Sequence, residues 1–144
     1  MERATFAAGC FWGSEETFQS IQGVVDTQVG YTGDSSQLGS AEVVELSYDP
    51  QQISYEELLE VFWRAHDPTQ LNRQGPDIGT EYRSVIFVHS PKQRQVAELS
   101  LSELQARAAP NEPLVTQIED ADGFRRAADF HQRYFEKKGH KKSA

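Results

Sequence analysis

Residues 41–68, AEVVELSYDPQQISYEELLEVFWRAHDP, carry the clearest structural signals in the sequence. Apolar and polar side chains largely alternate over the first eight positions, which predicts a strand over residues 41–48, and Pro50 then breaks it. Ser54 with Glu57 three residues later forms a capping box, and apolar residues follow at helical spacing. This stretch therefore predicts a strand, a short turn and a strongly amphipathic helix.

On either side of this stretch, the sequence predicts further short strands and helices. Ser14 is a candidate N-cap for a helix that Gly23 stops, and Pro91 suits the first turn of another helix. The polar segment 69–82 is longer than a typical connection, so we expect it to be functional or mobile. The predicted strands are residues 5–8, 24–31, 84–88 and 115–118, and the predicted helices are residues 14–22, 91–108 and 127–138.

The predicted order of elements is β-α-β-β-α-β-α-β-α. Long crossovers between short strands favour helices packed on a mixed, partly antiparallel sheet, in an α+β fold of the split βαβ, ferredoxin-like type. The length of 144 residues indicates one domain with a core of its own. We assign that domain to residues 1–136 and expect residues 137–144, which include four lysines, to be a solvated basic tail.

The charge balance argues against some classes of partner. Asp and Glu number 22 against 14 Lys and Arg, and the net charge of −8 argues against a nucleic-acid backbone as partner. No apolar run approaches the ~20 residues that a membrane span needs, and the N-terminal residues lack the pattern of a secretory signal. We therefore expect a cytoplasmic protein that binds neither membranes nor nucleic acid. Separately, we expect it to be a monomer.

Cys10 is the single cysteine in the sequence. It can form no disulfide within the chain, and the same count excludes a four-cysteine zinc site. The segment Gly9-Cys10-Phe11-Trp12-Gly13 lies between a strand end and a helix start, where backbone N–H groups and the positive helix end stabilise a thiolate. From the residues alone, a buried and inert thiol beside two core aromatic residues explains the segment about equally well.

Several motifs, in order along nearly the whole chain, resemble those of the A-type peptide methionine sulfoxide reductases. The most specific are the pentapeptide at Cys10 and the segment around Tyr82. The motifs are GCFWG at 9–13, GYTG at 30–33, AE at 41–42, YDP at 48–50, ISYE at 53–56, FW at 62–63, HDP at 66–68 and GTEYRS at 79–84. The resemblance implies a two-layer α/β sandwich that reduces methionine-S-sulfoxide, free or in proteins, to methionine.

The resemblance also implies a role for each catalytic residue. Cys10 matches the nucleophile that attacks the sulfoxide sulfur, and Glu42 matches the acid that protonates the oxygen, which requires a carboxyl with a raised pKa. Tyr82 matches a tyrosine that hydrogen-bonds the oxygen, and Asp77 matches an aspartate that organises the site. Without the resemblance, Glu42 would be an outward-facing strand residue, Tyr82 an edge aromatic and Asp77 a turn residue.

Two aromatic residues complete the implied site. Phe11 and Trp12 match the apolar cage around the S-methyl group of the substrate, and contact between sulfur and aromatic rings is favourable. Two histidines, His66 and His131, are interpreted as structural.

The sequence departs from the family pattern in the loop before Glu42. Only residues 34–41 separate Gly33 from Glu42, whereas family members carry a longer loop with a second tyrosine donor, and Ser40 replaces the usual histidine. The cysteine-bearing C-terminal extension of other members has no counterpart. The resemblance thus implies no metal or organic cofactor, and reduction of oxidised Cys10 by an external thiol, either thioredoxin or glutathione with a glutaredoxin.

Two further hypotheses stay open at this point. A module that binds methionine sulfoxide without turnover fits the shortened loop, although it does not explain why four catalytic residues match. A peroxide-sensing thiol protein also needs an exposed thiol of low pKa, but it gives Phe11, Trp12 and Glu42 no role. Turnover of each sulfoxide epimer with dithiothreitol distinguishes these hypotheses from the reductase.

Overall fold

The structure is a computed structural model that describes residues 1–33, 36–108 and 111–138. In these ranges a six-stranded sheet carries the helices, and a two-stranded sheet lies in the connection after the second helix. The strands are β1 (Glu2–Ala8), β2 (Val24–Thr32), β3 (Ala41–Tyr48), β4 (Arg73–Gln74), β5 (Asp77–Ile78), β6 (Ser84–Val88), β7 (Gln117–Asp120) and β8 (Arg125–Arg126). The helices are α1 (Phe11–Gln19), α2 (Tyr55–Ala65), α3 (Pro91–Arg107) and α4 (Tyr134–Lys137).

The strand order of the large sheet is β7-β6-β1-β3-β2-β8. Neighbouring strands are antiparallel except β6 and β7, which are parallel. Because β3 lies between β1 and β2, α1 connects two strands that are separated by a third, which is the split βαβ arrangement. The predicted α+β class with a mixed sheet is confirmed.

Helix α2 begins where the sequence predicts. The Ser54 hydroxyl accepts a hydrogen bond from the Glu57 N–H at 3.1 Å, and the Glu57 carboxylate accepts from the Ser54 N–H at 2.9 Å. The apolar face of α2 is buried, and the Phe62 ring stacks on Phe6 of β1 with ring centroids 5.2 Å apart. The amphipathic pattern therefore places α2 against the strand that leads into the cysteine.

Helix α1 begins earlier than predicted. Its N-cap is Cys10, and Ser14 lies within the helix, where its hydroxyl donates to the carbonyl oxygens of Ala8 and Cys10, each at 3.4 Å. The predicted N-cap at Ser14 is therefore wrong. The helix follows Cys10 directly, so the thiol lies at the N-terminus of α1.

The predicted helix over residues 127–138 is also wrong. Residues 129–131 form a 3₁₀ turn, and only Tyr134–Lys137 are α-helical. Arg133, between them, has a left-handed φ of 50° that interrupts the helix. Of the predicted basic tail, residues 139–144 lie outside the described residues.

Candidate active site

Cys10 lies at the junction of β1 and α1 and is half-buried. Gly9 makes the turn between the two elements with a φ of +89°, a conformation that favours glycine. A Cβ atom at this position would come within 2.8 Å of the Gln74 side chain, so the space also requires glycine. The turn thus sets the thiol against the helix N-terminus.

The pKa of Cys10 is raised, mainly because burial disfavours the charged thiolate. Hydrogen bonds from the backbone N–H groups of Trp12 and Gly13 lower it, as the position at a helix start predicts. The negative charges of Glu42 and Asp77 raise it. The expected stabilisation of the thiolate by the helix start is therefore present, but burial and two carboxylates outweigh it.

Glu42 lies on β3 and points to the start of α1. One of its carboxylate oxygens, Oε1, accepts a hydrogen bond from the Phe11 N–H at 3.1 Å. Burial raises the pKa of Glu42, the Phe11 hydrogen bond lowers it, and the charges of Glu81 and Asp77 raise it. The side chain is thus half-buried beside the cysteine and binds a proton more readily than a solvated glutamate does.

The polar connection between α2 and β6 brings Asp77 and Tyr82 to the same place. It forms the hairpin β4–β5, in which Asp77 pairs with Gln74, and then a 3₁₀ turn that ends with Tyr82. Burial raises the pKa of Tyr82, and nearby negative charges, of which Glu42 has the largest effect, raise it further. Cys10 and Asp77 are also among the groups that act on Tyr82, so the four predicted catalytic residues lie within electrostatic reach of one another.

Phe11 and Trp12 belong to a group of aromatic rings that contact one another. The buried Phe11 ring lies 5.5 Å from Tyr31 and 5.2 Å from His131, measured between ring centroids. Trp12 stacks on Tyr134 at 3.7 Å with nearly parallel planes, and its Nε1 donates to His131 Nδ1 at 2.9 Å. These rings form an aromatic wall beside the thiol.

The prediction from sequence missed three contributors to this site. His131 and Tyr134 hold Trp12. A continuous helix over residues 127–138 gives no reason to place these two side chains against Trp12. Gln74 was also missed: its Oε1 accepts the Asp67 N–H at 2.8 Å and its Nε2 donates to the Asp67 carbonyl at 2.9 Å. These two bonds join the hairpin that carries Asp77 to the end of α2.

The fold and the site together define a thiol-dependent class of protein, in which a cysteine at a helix start lies beside a protonatable carboxyl and an aromatic wall. The family model for peptide methionine sulfoxide reductase matches residues 2–144. Peptide methionine sulfoxide reductase MsrA from Geobacter metallireducens and that from Methanoculleus marisnigri are each 51% identical to this chain over 150 residues. The matches cover 96% of this chain and 93% and 92% of the relatives. The chain belongs to the peptide methionine sulfoxide reductase family.

Solved structures of similar proteins share the fold. Reduced Mxr1 from Saccharomyces cerevisiae matches with a TM-score of 0.87 and 34% identity, over 96% of this chain and 86% of Mxr1. Methionine sulfoxide reductase A of Corynebacterium diphtheriae matches with a TM-score of 0.86 and 33% identity, over 96% of this chain and 75% of that protein. The structural similarity therefore extends over nearly the whole chain.

Two further properties concern the described residues alone. In residues 1–33, 36–108 and 111–138, no group of three or more His, Cys, Asp or Glu side chains is placed to hold a metal ion. Among the helices in these ranges, none has the length and apolar character that crossing a membrane requires.

Proposed function

We propose that this chain reduces methionine-S-sulfoxide to methionine, with Cys10 as the nucleophile and Glu42 as the proton donor. The observation that carries this proposal is the position of Glu42 against the start of α1, within electrostatic reach of the Cys10 thiol. Membership of the family makes the protein an oxidoreductase, a peptide-methionine (S)-S-oxide reductase. The relatives do not favour the alternative of a module that binds methionine sulfoxide without turnover.

In the proposed reaction, the Cys10 thiolate attacks the sulfoxide sulfur while Glu42 gives a proton to the sulfoxide oxygen. This attack forms a bond between the Cys10 sulfur and the substrate sulfur. The protonated oxygen then moves from the substrate sulfur to the Cys10 sulfur as the substrate S–O bond and the S–S bond break, so methionine leaves and Cys10 becomes a sulfenic acid. The charge of Glu42 raises the pKa of Cys10, so a proton on Glu42 favours the thiolate. The same protonation state thus supplies both the nucleophile and the acid.

The other predicted residues have supporting roles in this proposal. Tyr82, whose raised pKa keeps its hydroxyl protonated, donates a hydrogen bond to the sulfoxide oxygen. Asp77 organises the hairpin face of the site, and its charge favours a proton on Glu42. Phe11 and Trp12 receive the S-methyl group against the aromatic wall.

We propose thioredoxin as the reductant that returns Cys10 to the thiol, with glutathione and a glutaredoxin as the second candidate. The sequence contains one cysteine, Cys10. The thiol that reduces oxidised Cys10 therefore comes from another molecule. A structure of Mxr1 in complex with Trx2 supports thioredoxin, since that Mxr1 chain matches this one with a TM-score of 0.70 and 31% identity, over 92% of this chain and 84% of Mxr1.

The proposal also includes a location and a state of assembly. A cytoplasmic location suits an enzyme whose cysteine must be reduced after each turnover, because the cytosol keeps thiols reduced. We propose that the active protein is a monomer with one catalytic domain over residues 1–136, since Cys10, Glu42, Tyr82 and the aromatic wall all come from one chain.

Incubation with racemic methionine sulfoxide and dithiothreitol tests this proposal. Chromatography is expected to show loss of the S epimer alone, since each epimer has its own type of enzyme. Cys10→Ser serves as the control, because its hydroxyl preserves the shape of the site without the thiol. Equal loss of both epimers, or turnover by Cys10→Ser, would contradict the proposal.

A further inference from the structure

One face of α1 contacts the C-terminal segment. Trp12, Glu15 and Gln19 share this face because they are three and four positions apart. Trp12 stacks on Tyr134, and Gln19 Nε2 donates to the Glu136 carboxylate at 2.9 Å. Between these two contacts, Glu15 is 1% exposed. A carboxyl is rarely buried so completely unless its partners compensate for the lost hydration.

The partners of Glu15 come from two other elements. Its Oε1 accepts the Arg133 N–H and its Oε2 accepts the Thr27 hydroxyl, each at 2.7 Å. These are the short distances of hydrogen bonds to a charged acceptor. Arg133 is the residue whose left-handed conformation joins the 3₁₀ turn to α4. One side chain therefore joins α1 to β2 and to this turn.

Gln132 strengthens the same attachment. Its Oε1 accepts the Val29 N–H, and its Nε2 donates to the carbonyl oxygens of Val29 and Ala127, each at 2.9 Å. The side chains on either side of this anchored pair are His131 and Tyr134, which contact Trp12. The position of both rings thus depends on how the segment is fastened.

We propose that Glu15 is a positioning residue for Trp12: it fastens the C-terminal segment so that His131 and Tyr134 hold the indole ring against the site. Trp12 is half-buried, and both its hydrogen-bond acceptor and its stacking partner belong to this segment. When the segment loosens, the indole loses both contacts and samples other rotamers. The consequence for substrate binding rests on the proposed function, in which Trp12 receives the S-methyl group.

The test compares two substitutions of Glu15. Glu15→Ala removes the acceptor for both donors, whereas Glu15→Gln keeps an oxygen for the Arg133 N–H and an amide for the Thr27 hydroxyl. The readout is the indole Nε1–H resonances in a ¹⁵N–¹H spectrum of the full chain. Trp63 is an internal reference, because its Nε1 donates to Ser100 Oγ at 2.8 Å, away from the segment.

Glu15→Ala is expected to shift or broaden the Trp12 resonance and leave that of Trp63 unchanged. It is also expected to raise KM for methionine sulfoxide roughly tenfold, the low end of what a poorly fitting apolar pocket costs, with a smaller change in kcat. Glu15→Gln should restore both values towards wild type. Ser20→Ala, which removes a surface hydrogen bond to the Thr17 carbonyl at the end of the same helix, is the matched control and should change neither.

An unchanged Trp12 resonance in folded Glu15→Ala would overturn the proposal. If Glu15→Ala does not fold, Thr27→Val removes one of the two hydrogen bonds with little change in shape, and the same spectrum decides. If the Trp12 resonance moves while KM stays constant, the positioning role of Glu15 is supported. The same outcome contradicts the part of the proposed function in which Trp12 binds the substrate.

Discussion

At the scale of single residues, Glu42 and Cys10 form one electrostatic unit. Each is half-buried, and the carboxylate raises the pKa of the thiol beside it. A substitution at Glu42 therefore has two separable effects, one on proton donation and one on the nucleophile. At neutral pH, loss of the proton donor lowers activity, whereas a lower pKa of Cys10 favours the reactive thiolate.

Glu42→Gln is expected to lower kcat/KM by ~10²–10⁴, because the amide cannot give a proton to the sulfoxide oxygen. The same substitution should lower the pKa of Cys10, since it removes a negative charge that opposes the thiolate. Methionine release measures the first effect, and the pH dependence of alkylation by iodoacetamide measures the second.

Glu45→Gln is the matched control for this prediction. Glu45 lies on the same strand but three positions away, so its side chain projects from the opposite face of the sheet. There it accepts a hydrogen bond from the Thr5 hydroxyl. It should retain both activity and thiol pKa. Loss of a general acid lowers the rate far more than a few-fold. Activity of Glu42→Gln within a few-fold of wild type would therefore show that Glu42 is not the proton donor.

Tyr82→Phe should lower kcat by roughly 10² or less, as expected for the loss of one donor to a developing oxyanion. The effect should be smaller than that of Glu42→Gln, because Tyr82 polarises the oxygen without transferring a proton. Steady-state kinetics on the S epimer provides the measurement. An unchanged kcat would remove Tyr82 from the reaction.

At the scale of elements, the end of α2 is held by a buried histidine. His66 Nδ1 lies 2.8 Å from the Phe62 carbonyl, which can only accept, so Nδ1 carries the proton. Nε2 then accepts from the Ser84 hydroxyl at 2.7 Å, and Ser84 in turn accepts from Thr116 at 2.7 Å. The interpretation of His66 as structural agrees with this chain of bonds, which joins α2 to β6.

This histidine should make the fold sensitive to acid. Burial lowers the pKa of His66 from 6.5 to about 4. Between these values the unfolded chain binds the proton and the folded chain does not, so stability falls as pH falls through this window. The loss is about 3 kcal/mol at pH 4, from the size of the shift.

Urea unfolding at pH 7, 5.5 and 4.5 measures the free energy of unfolding across this window. His66→Gln is the comparison, because glutamine does not titrate and other groups contribute equally to both proteins. We expect the wild-type protein to lose more stability than His66→Gln as pH falls. Parallel loss in the two proteins would assign the acid sensitivity to other residues.

At the scale of the whole molecule, the single cysteine sets the stoichiometry. Without reductant, excess methionine-S-sulfoxide should give a burst of about one methionine per chain, after which Cys10 stays oxidised. Mass spectrometry should find one added oxygen, or a dimedone adduct, on Cys10. A burst of two methionines per chain would contradict a reaction that uses one thiol.

The sequence predicts those parts of the fold whose signals are local. The capping box at Ser54 and the alternation in β3 depend on near neighbours, and both agree with the structure. The cysteine turn was likewise found from a short motif. The raised pKa of Cys10 could not be predicted, because it depends on burial and on charges from β3 and the hairpin.

The C-terminal segment shows the opposite case. Its sequence looks helical from residue 127, but Gln132 bonds to Val29 and the Arg133 N–H bonds to Glu15, 103 and 118 residues away. Contacts this distant leave no local pattern, and together they outweigh the intrinsic preference for a helix. The contribution of His131 and Tyr134 to the site was missed for this reason.

The hydrogen bond between Trp12 and His131 joins residues 119 positions apart in the chain. This separation has a consequence for folding during synthesis. A ribosome delivers Cys10 and Trp12 first, and it delivers His131, which accepts the indole hydrogen bond, only 119 residues after Trp12. Closing so long a loop is a late and slow event in folding. In the proposed function, the nascent protein therefore contains the Cys10 nucleophile well before Trp12 is held in place, and the aromatic wall is completed when the C-terminal segment docks.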